Sequence, residues 1–322
     1  MRDRLAVTPL QFRRVADATL VALTLIVLTG AAVRLSGSGL GCPNWPRCYG
    51  GPLPPLSTHA LIEFGNRALS GLVGVLTLVT FVLAATRRPF RRDLFLLSAT
   101  LPLGVLAQAV LGGFTVREHL APGFVMAHFC LSMIILIGAV ALAWRAHHEP
   151  GRRPRSRDRL TVWSVRVLSP LAALTIFAGT AATAAGPHAG GSPGQRIHRL
   201  TFKGADTLTW VIHQHATIAA ILGVAVIAVW FLMRHRGADE KALEPMTILG
   251  ILLAAQGLVG SVQYELHLPT DMVWVHVALA TVTWLVVLWS VAAAGRLVPR
   301  GAEVAPPEPR LAAADLEVVG RV

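Results

Sequence analysis

Eight stretches of this chain stay apolar for about the 20 residues that a helix needs to cross a bilayer. They cover about 16–35, 60–85, 94–115, 122–144, 161–185, 209–233, 246–264 and 271–294. Inside a bilayer each backbone polar group must be satisfied within its own segment, so such runs predict helices. Charged residues make up only 14% of the 322, against roughly 25% in a soluble domain. The expectation is an all-α membrane protein with eight transmembrane helices. The first run is long enough to span and lacks a clean small-residue cleavage site, so it reads as a span and not as a leader.

The net charge of +12 would suggest nucleic acid in a soluble chain. Here the basic residues sit between the spans, and no nucleic-acid partner is expected. Seventeen Arg and Lys fall on the side of the N-terminus, "TRRPFRRD", Arg145 to Arg159 and "RHRGADEK"; six fall on the other. By the positive-inside rule both termini are cytoplasmic, in a bacterial-type plasma membrane. The outward loops 36–58 and 186–208 are long and rich in Gly and Pro. The second carries Arg196, Arg199 and Lys203, either as tolerated charge or as a basic surface for an anionic group.

The chain repeats itself. "AQAVLGGFTVREHLAPGFVMAH" (107–128) matches "AQGLVGSVQYELHLPTDMVWVH" (255–276), pairing Gln108 with Gln256, Gly112 with Gly260, His119 with His267 and His128 with His276 at an offset of 148. At 149, Gly37 pairs with Gly186 and Asn66 with His215. Four spans per half is an even number, so both halves insert the same way up. The expected architecture is two pseudo-twofold-related four-helix bundles, 1–150 and 151–300, with the axis along the membrane normal. The Pro/Ala-rich segment 301–322 reads as a flexible cytoplasmic tail.

An ionisable residue within a span is a functional candidate by default. His128, His215 and His276 each lie about five or six residues into a span that starts at the outer face, and Asn66 matches them in depth. Histidines at one depth on alternate helices of a bundle suit haem, one imidazole on each side of the iron. His215 with His276 is the expected pair; His213, two residues from His215, points about 200° away on a helix. Any one of these histidines alone would read as a satisfied polar residue.

Glu63 shares a helix face with His59, Asn66 and Arg67. It is either half of an internal pair with Arg67 or a general acid/base beside a bound cofactor. Arg67, near the outer surface, is placed to meet a propionate. Cys42 and Cys48 lie on the oxidising side, which suits a disulfide first and a redox-active dithiol second. Cys130 reads as a small apolar residue.

Taken together, "VRLSGSGLGCPNWPRCYGG" (33–51), "IEFGNR" (62–67), "GPHAG" (186–190), "HQHAT" (213–217) and the paired His128 and His276 resemble the haem A synthase family over about 15–295. The resemblance implies oxidation of the C8 methyl of haem O to a formyl group, making haem A for terminal oxidase assembly. It implies haem b between His215 and His276, and haem O as substrate near Glu63 and His128. Cys42 and Cys48 match the family's cysteine pair. Haem O synthase and an unidentified electron donor or acceptor are the implied partners, besides membrane lipid. Many members carry His where this chain has Asn66, so His128 is expected to be the sole protein ligand of the N-terminal haem, with water or His59 opposite. The alternative readings are a di-haem b-type electron-transfer or haem-carrier protein, and a transporter with histidine proton relays. Small residues along the spans suit contacts within one chain or a homo-oligomer.

Overall fold

A computed structural model of the chain describes residues 6–148, 150, 158–192, 194–238 and 240–294. The segment read as a tail, 301–322, lies outside the described residues. Among the described residues the eight α-helices are α1 (Pro9–Leu35), α2 (Thr58–Thr86), α3 (Arg92–Arg117), α4 (Pro122–His147), α5 (Arg159–Ala185), α6 (Thr207–His235), α7 (Glu240–Glu265) and α8 (Thr270–Ala294). All eight are long and apolar enough to cross a membrane. Large apolar side chains such as Leu72, Leu103, Val224, Ile251 and Leu258 face outward on them. An exposed apolar girdle of this extent needs lipid around it, so the protein is an integral membrane protein.

Several helices run further than hydropathy alone indicates, because polar caps extend them beyond the apolar run. At α1, Thr8 and Gln11 form a reciprocal capping box and Pro9 takes the first helical position, where its missing N–H costs nothing. At α5, the Asp158 side chain accepts from the Thr161 backbone N–H. Asp158 also pairs with Arg236 just beyond α6, at 2.6 Å. Arg236 and the Thr161 hydroxyl hold its carboxyl below the usual carboxylate range.

The principal contacts run around two rings of four helices. In the first, α1 packs on α2 and α4, and α3 packs on α2 and α4; in the second, α5 packs on α6 and α8, and α7 packs on α6 and α8. Hence α2 faces α4 across one diagonal, and α6 faces α8 across another. The halves meet through α1 with α8, α4 with α5, and α4 with α8. Two indoles tie this seam: Trp284 Nε1 donates to the Met133 carbonyl at 3.0 Å, and Trp274 Nε1 to the Leu28 carbonyl at 3.2 Å.

Repeat-related segments adopt the same local structure. His119 and Leu120 after α3, and His267 and Leu268 after α7, all have positive φ, from 49° to 64°. For residues with a Cβ this conformation costs about 1–2 kcal/mol each. The same hydrogen bonds offset it in both turns: Leu120 N–H donates to the Thr115 carbonyl and Leu268 N–H to the Gln263 carbonyl, at 2.8 and 2.7 Å.

At the end of the molecule that carries the long connections, the two glycine-rich turns interlock. Gly39 N–H donates to the Gly190 carbonyl at 2.8 Å, and the Ser192 hydroxyl to the Gly37 carbonyl at 3.1 Å. Gly37 sits at φ 67°, and a Cβ there would lie 2.9 Å from the Gly191 oxygen, so both its conformation and its close approach require glycine.

Candidate functional site

The candidate site residues lie in the half of each bundle nearest these loops. Asn66 and His215 sit eight residues into α2 and α6; His128 and His276 sit six residues into α4 and α8. The depth is therefore shared within each pair of counterparts and differs between the pairs by two residues, about 3 Å of helical rise. The difference from the single depth read in the sequence arises because α2 and α6 begin about two residues before their apolar runs.

His215 and His276 face each other across the second bundle, with ring centroids 6.2 Å apart and planes at 81°. Two metal–nitrogen bonds of about 2 Å, plus about 1 Å from each nitrogen to its ring centre, require roughly 6 Å, so the pair is spaced for one iron between them. His215 Nδ1 lies 3.0 Å from the Thr175 carbonyl oxygen. That bond holds the proton on Nδ1 and leaves the Nε2 lone pair for a metal. The Gln256 side-chain amide lies 3.2 Å from His276 Nδ1 and from the His276 carbonyl oxygen. His213 is on the exposed side of α6, beside Lys203, Asp206 and Trp210. Among the described residues no three His, Cys, Asp or Glu side chains cluster as a bare metal ion would need. The donor set fits a group that brings its own equatorial ligands.

Each histidine is seated on a glycine of the preceding helix. A Cβ would come within 3.0 Å of His215 Cε1 at Gly179, 3.2 Å of His276 Cε1 at Gly260, and 3.2 Å of His128 Cε1 at Gly112. The absent side chain lets the ring lie against the helix. Gly30 is the counterpart of Gly179 and faces Asn66, whose Nδ2 would lie 4.0 Å from a Cβ there. Gln108 also mirrors Gln256: its amide donates to the His128 carbonyl oxygen at 2.9 Å and to Ser132 at 2.6 Å. His128 Nδ1 and Asn66 Oδ1 are buried and have no partner in the protein.

In the first bundle, Cys42 and Cys48 form a disulfide, buried against Ala60 and Phe64. Glu63 and Arg67 fasten that loop to α2. Glu63 accepts from the Cys42 backbone N–H at 2.7 Å and pairs with Arg67. Arg67 also donates to the Asn44 carbonyl at 2.8 Å and the Cys42 carbonyl at 3.1 Å. The internal pair is thus present, and it serves as a latch. Trp45 of the same loop lies on Gly113, next to the glycine that backs His128, where a Cβ would approach the indole to 2.8 Å. The loop therefore roofs the first bundle close to His128.

His59 is not brought to the level of Asn66. It lies seven residues away, about 10 Å along α2, and its Nδ1 is 2.9 Å from the Ser38 hydroxyl. Sequence reasoning missed the glycine seats, Thr175, and the roof formed by Trp45 on Gly113. The repeat carried a signal for the seats, since Gly112 with Gly260 and Gly30 with Gly179 keep the offsets of the residues they face. Nothing local marks Thr175 or Trp45.

A family described as cytochrome oxidase assembly protein, COX15-CtaA, matches residues 13–288. Similar curated proteins include a protoheme IX farnesyltransferase of Thermus thermophilus, 30% identical over 275 residues, covering 81% of this chain and 45% of that protein. A haem A synthase of Shewanella oneidensis is 34% identical over 179 residues, covering 49% of this chain and 51% of the relative. One of Symbiobacterium thermophilum is 37% identical over 124 residues, covering 38% and 40%. The matches thus span about half the length of these relatives, or less.

Proposed function

The chain belongs to the COX15-CtaA family of cytochrome oxidase assembly proteins, and we propose that it is a haem A synthase, oxidising the C8 methyl of haem O to a formyl group. The observation that carries this reading is the unequal equipment of the two bundles. The second offers two facing imidazoles 6.2 Å apart; the first offers His128 opposite a residue that is not a histidine. A closed pair suits a resident electron-transfer group, and an open one suits a substrate that must react and leave.

His215 and His276 would hold haem b, which supplies one-electron transfer when bound there. His128 would hold the iron of haem O, the substrate, in the first bundle. Glu63 lies one turn from Asn66 on the same face of α2, and in this reading its carboxylate takes up the proton released at the methyl. The latch to Arg67 and the Cys42 N–H orients that carboxylate. The terminal nitrogens of Arg67 are already bonded to the loop and to Glu63, so a propionate would reach it through Nε.

The two-bundle division at about residue 150, with halves related by a twofold along the bilayer normal, is supported by the matched turns and glycine seats. The cytoplasmic placement of both termini rests on the distribution of basic residues. It puts the haem sites toward the outer face. Less than half of the Thermus protein aligns with this chain, so the farnesyl transfer in its name is not carried over to these residues. In this reading haem O comes from the enzyme that makes it, haem O synthase.

The test is expression with a source of haem O and identification of the extracted haem. Haem A or its hydroxylated precursor is expected. Bound haem without either product would refute the reading in favour of an electron-transfer or carrier protein.

A further inference from the structure

We infer that Asn66 turns the first bundle into a one-imidazole haem site whose second axial position admits a small exogenous ligand, such as water or added imidazole. The inference deepens the functional reading above and rests on its haem assignment.

Four positions, one on each of α2, α4, α6 and α8, share a design: a side chain on the bundle diagonal, backed by a glycine on the preceding helix. Three carry imidazole so close that a Cβ on that glycine would come within 3.0–3.2 Å of the ring. The fourth keeps Gly30 but carries an amide, and a Cβ there would lie 4.0 Å from it. An Asn amide is shorter than an imidazole by about one bond, and its oxygen is a poor iron ligand but a good hydrogen-bond acceptor. It would stop short of an iron held by His128 and leave room for a small molecule between. Asn66 Oδ1 is the acceptor suited to that molecule, being buried without a protein partner, a condition that buried polar atoms rarely keep. His59 does not substitute, because it is held by Ser38 about two turns away.

The second difference lies behind His128. His215 has the Thr175 carbonyl as an acceptor at its Nδ1; His128 Nδ1 has no partner. An acceptor in that place fixes a ring and strengthens its metal bond, and losing it typically costs about 10–100-fold in affinity. With one ligand in place of two, and that ligand unsupported, the first bundle releases haem readily while the second retains it. Asn66 is therefore a positioning residue that sets the exchangeability of the substrate site.

The experiment uses the full-length ferric protein loaded with haem, with optical and EPR spectra recorded before and after adding imidazole. His128→Ala assigns the signal of the first bundle. In the wild type that signal is expected to be high-spin or water-ligated, and to become low-spin with imidazole while the second haem is unmoved. Asn66→His is expected to give two low-spin haems that ignore imidazole, and to slow haem transfer to apomyoglobin by about tenfold or more. Asn66→Ala keeps the position open, so it must still respond to imidazole. That arm needs no fold-sensitive gain of ligand. A wild type with two low-spin haems and no imidazole response overturns the inference while leaving the functional reading intact, and so does an Asn66→Ala site that ignores imidazole. Complete absence of bound haem overturns both.

Discussion

Replacing Gly179 with alanine isolates the seat of His215 from every other feature of the second bundle. The added Cβ would lie 3.0 Å from His215 Cε1 and 3.3 Å from Nδ1. Ordinary contact begins near 3.4 Å, so the ring must withdraw by a few tenths of an ångström. It cannot do so freely, because Nδ1 is tied to the Thr175 carbonyl at 3.0 Å and the opposite face of the site is His276. Misaligning a ligand and loosening its outer hydrogen bond should cost about 10–100-fold in haem affinity, about 1–3 kcal/mol. The backbone works the other way: Ala is better than Gly in a helix by about 1 kcal/mol, so the fold should not weaken. Gly223→Ala on α6 is the control, since a Cβ there meets nothing within 4 Å. The assay is titration of haem into each purified apo variant, read by the low-spin absorption bands, with thermal unfolding alongside. Gly179→Ala is expected to bind the second-bundle haem more weakly at unchanged stability. Equal affinity in the two variants would mean that His215 is not held as a ligand against Gly179.

Three further outcomes follow from the same contacts. Replacing both Cys42 and Cys48 with Ser opens a loop of sequence separation 6 and should cost about 2 kcal/mol by the loop-entropy relation; an unchanged unfolding midpoint would show that the latch at Glu63 and Arg67 constrains this loop by itself. Arg67→Lys keeps the charge but loses the fork that reaches Asn44, Cys42 and Glu63, so the disulfide should be reduced faster by a small thiol, and an unchanged rate would remove the latch from the account. The carboxyl of Asp158 is held below its ordinary value by Arg236 and Thr161, so its stabilisation is complete above about pH 4 and is lost as the pH falls further; Asp158→Asn should unfold at lower temperature than wild type at about pH 7, with the gap closing in acid, and a gap that does not depend on pH would assign the effect to the helix cap alone.

Some of this could be read along the chain. The eight helices follow from apolar length, because a bilayer leaves a segment few other ways to satisfy its backbone. The matched placement of His128 with His276, and of Asn66 with His215, follows from the repeat, because counterparts in two copies of one unit inherit one depth. Local polar groups then blurred the edges: the Thr8 box carries α1 back to Pro9, seven residues before its apolar run.

Pairings between helices were decided elsewhere. Whether Glu63 meets Arg67, the Cys42 N–H or a substrate depends on where loop 36–57 comes to rest, and that involves Trp45 lying against Gly113 and Gly39 bonding to Gly190, both distant in sequence. Which nitrogen of His215 faces the bundle depends on a carbonyl forty residues away, at Thr175. Periodicity reports the face on which a side chain stands and how deep it lies, since both are properties of a single helix. Partner atoms, ring orientation and the seats beneath the rings come from helices brought together by packing, so for Asn66 the chain alone identified an unusual residue in a ligand's place, and only the fold supplied the glycine behind it and the buried oxygen with nothing to bind.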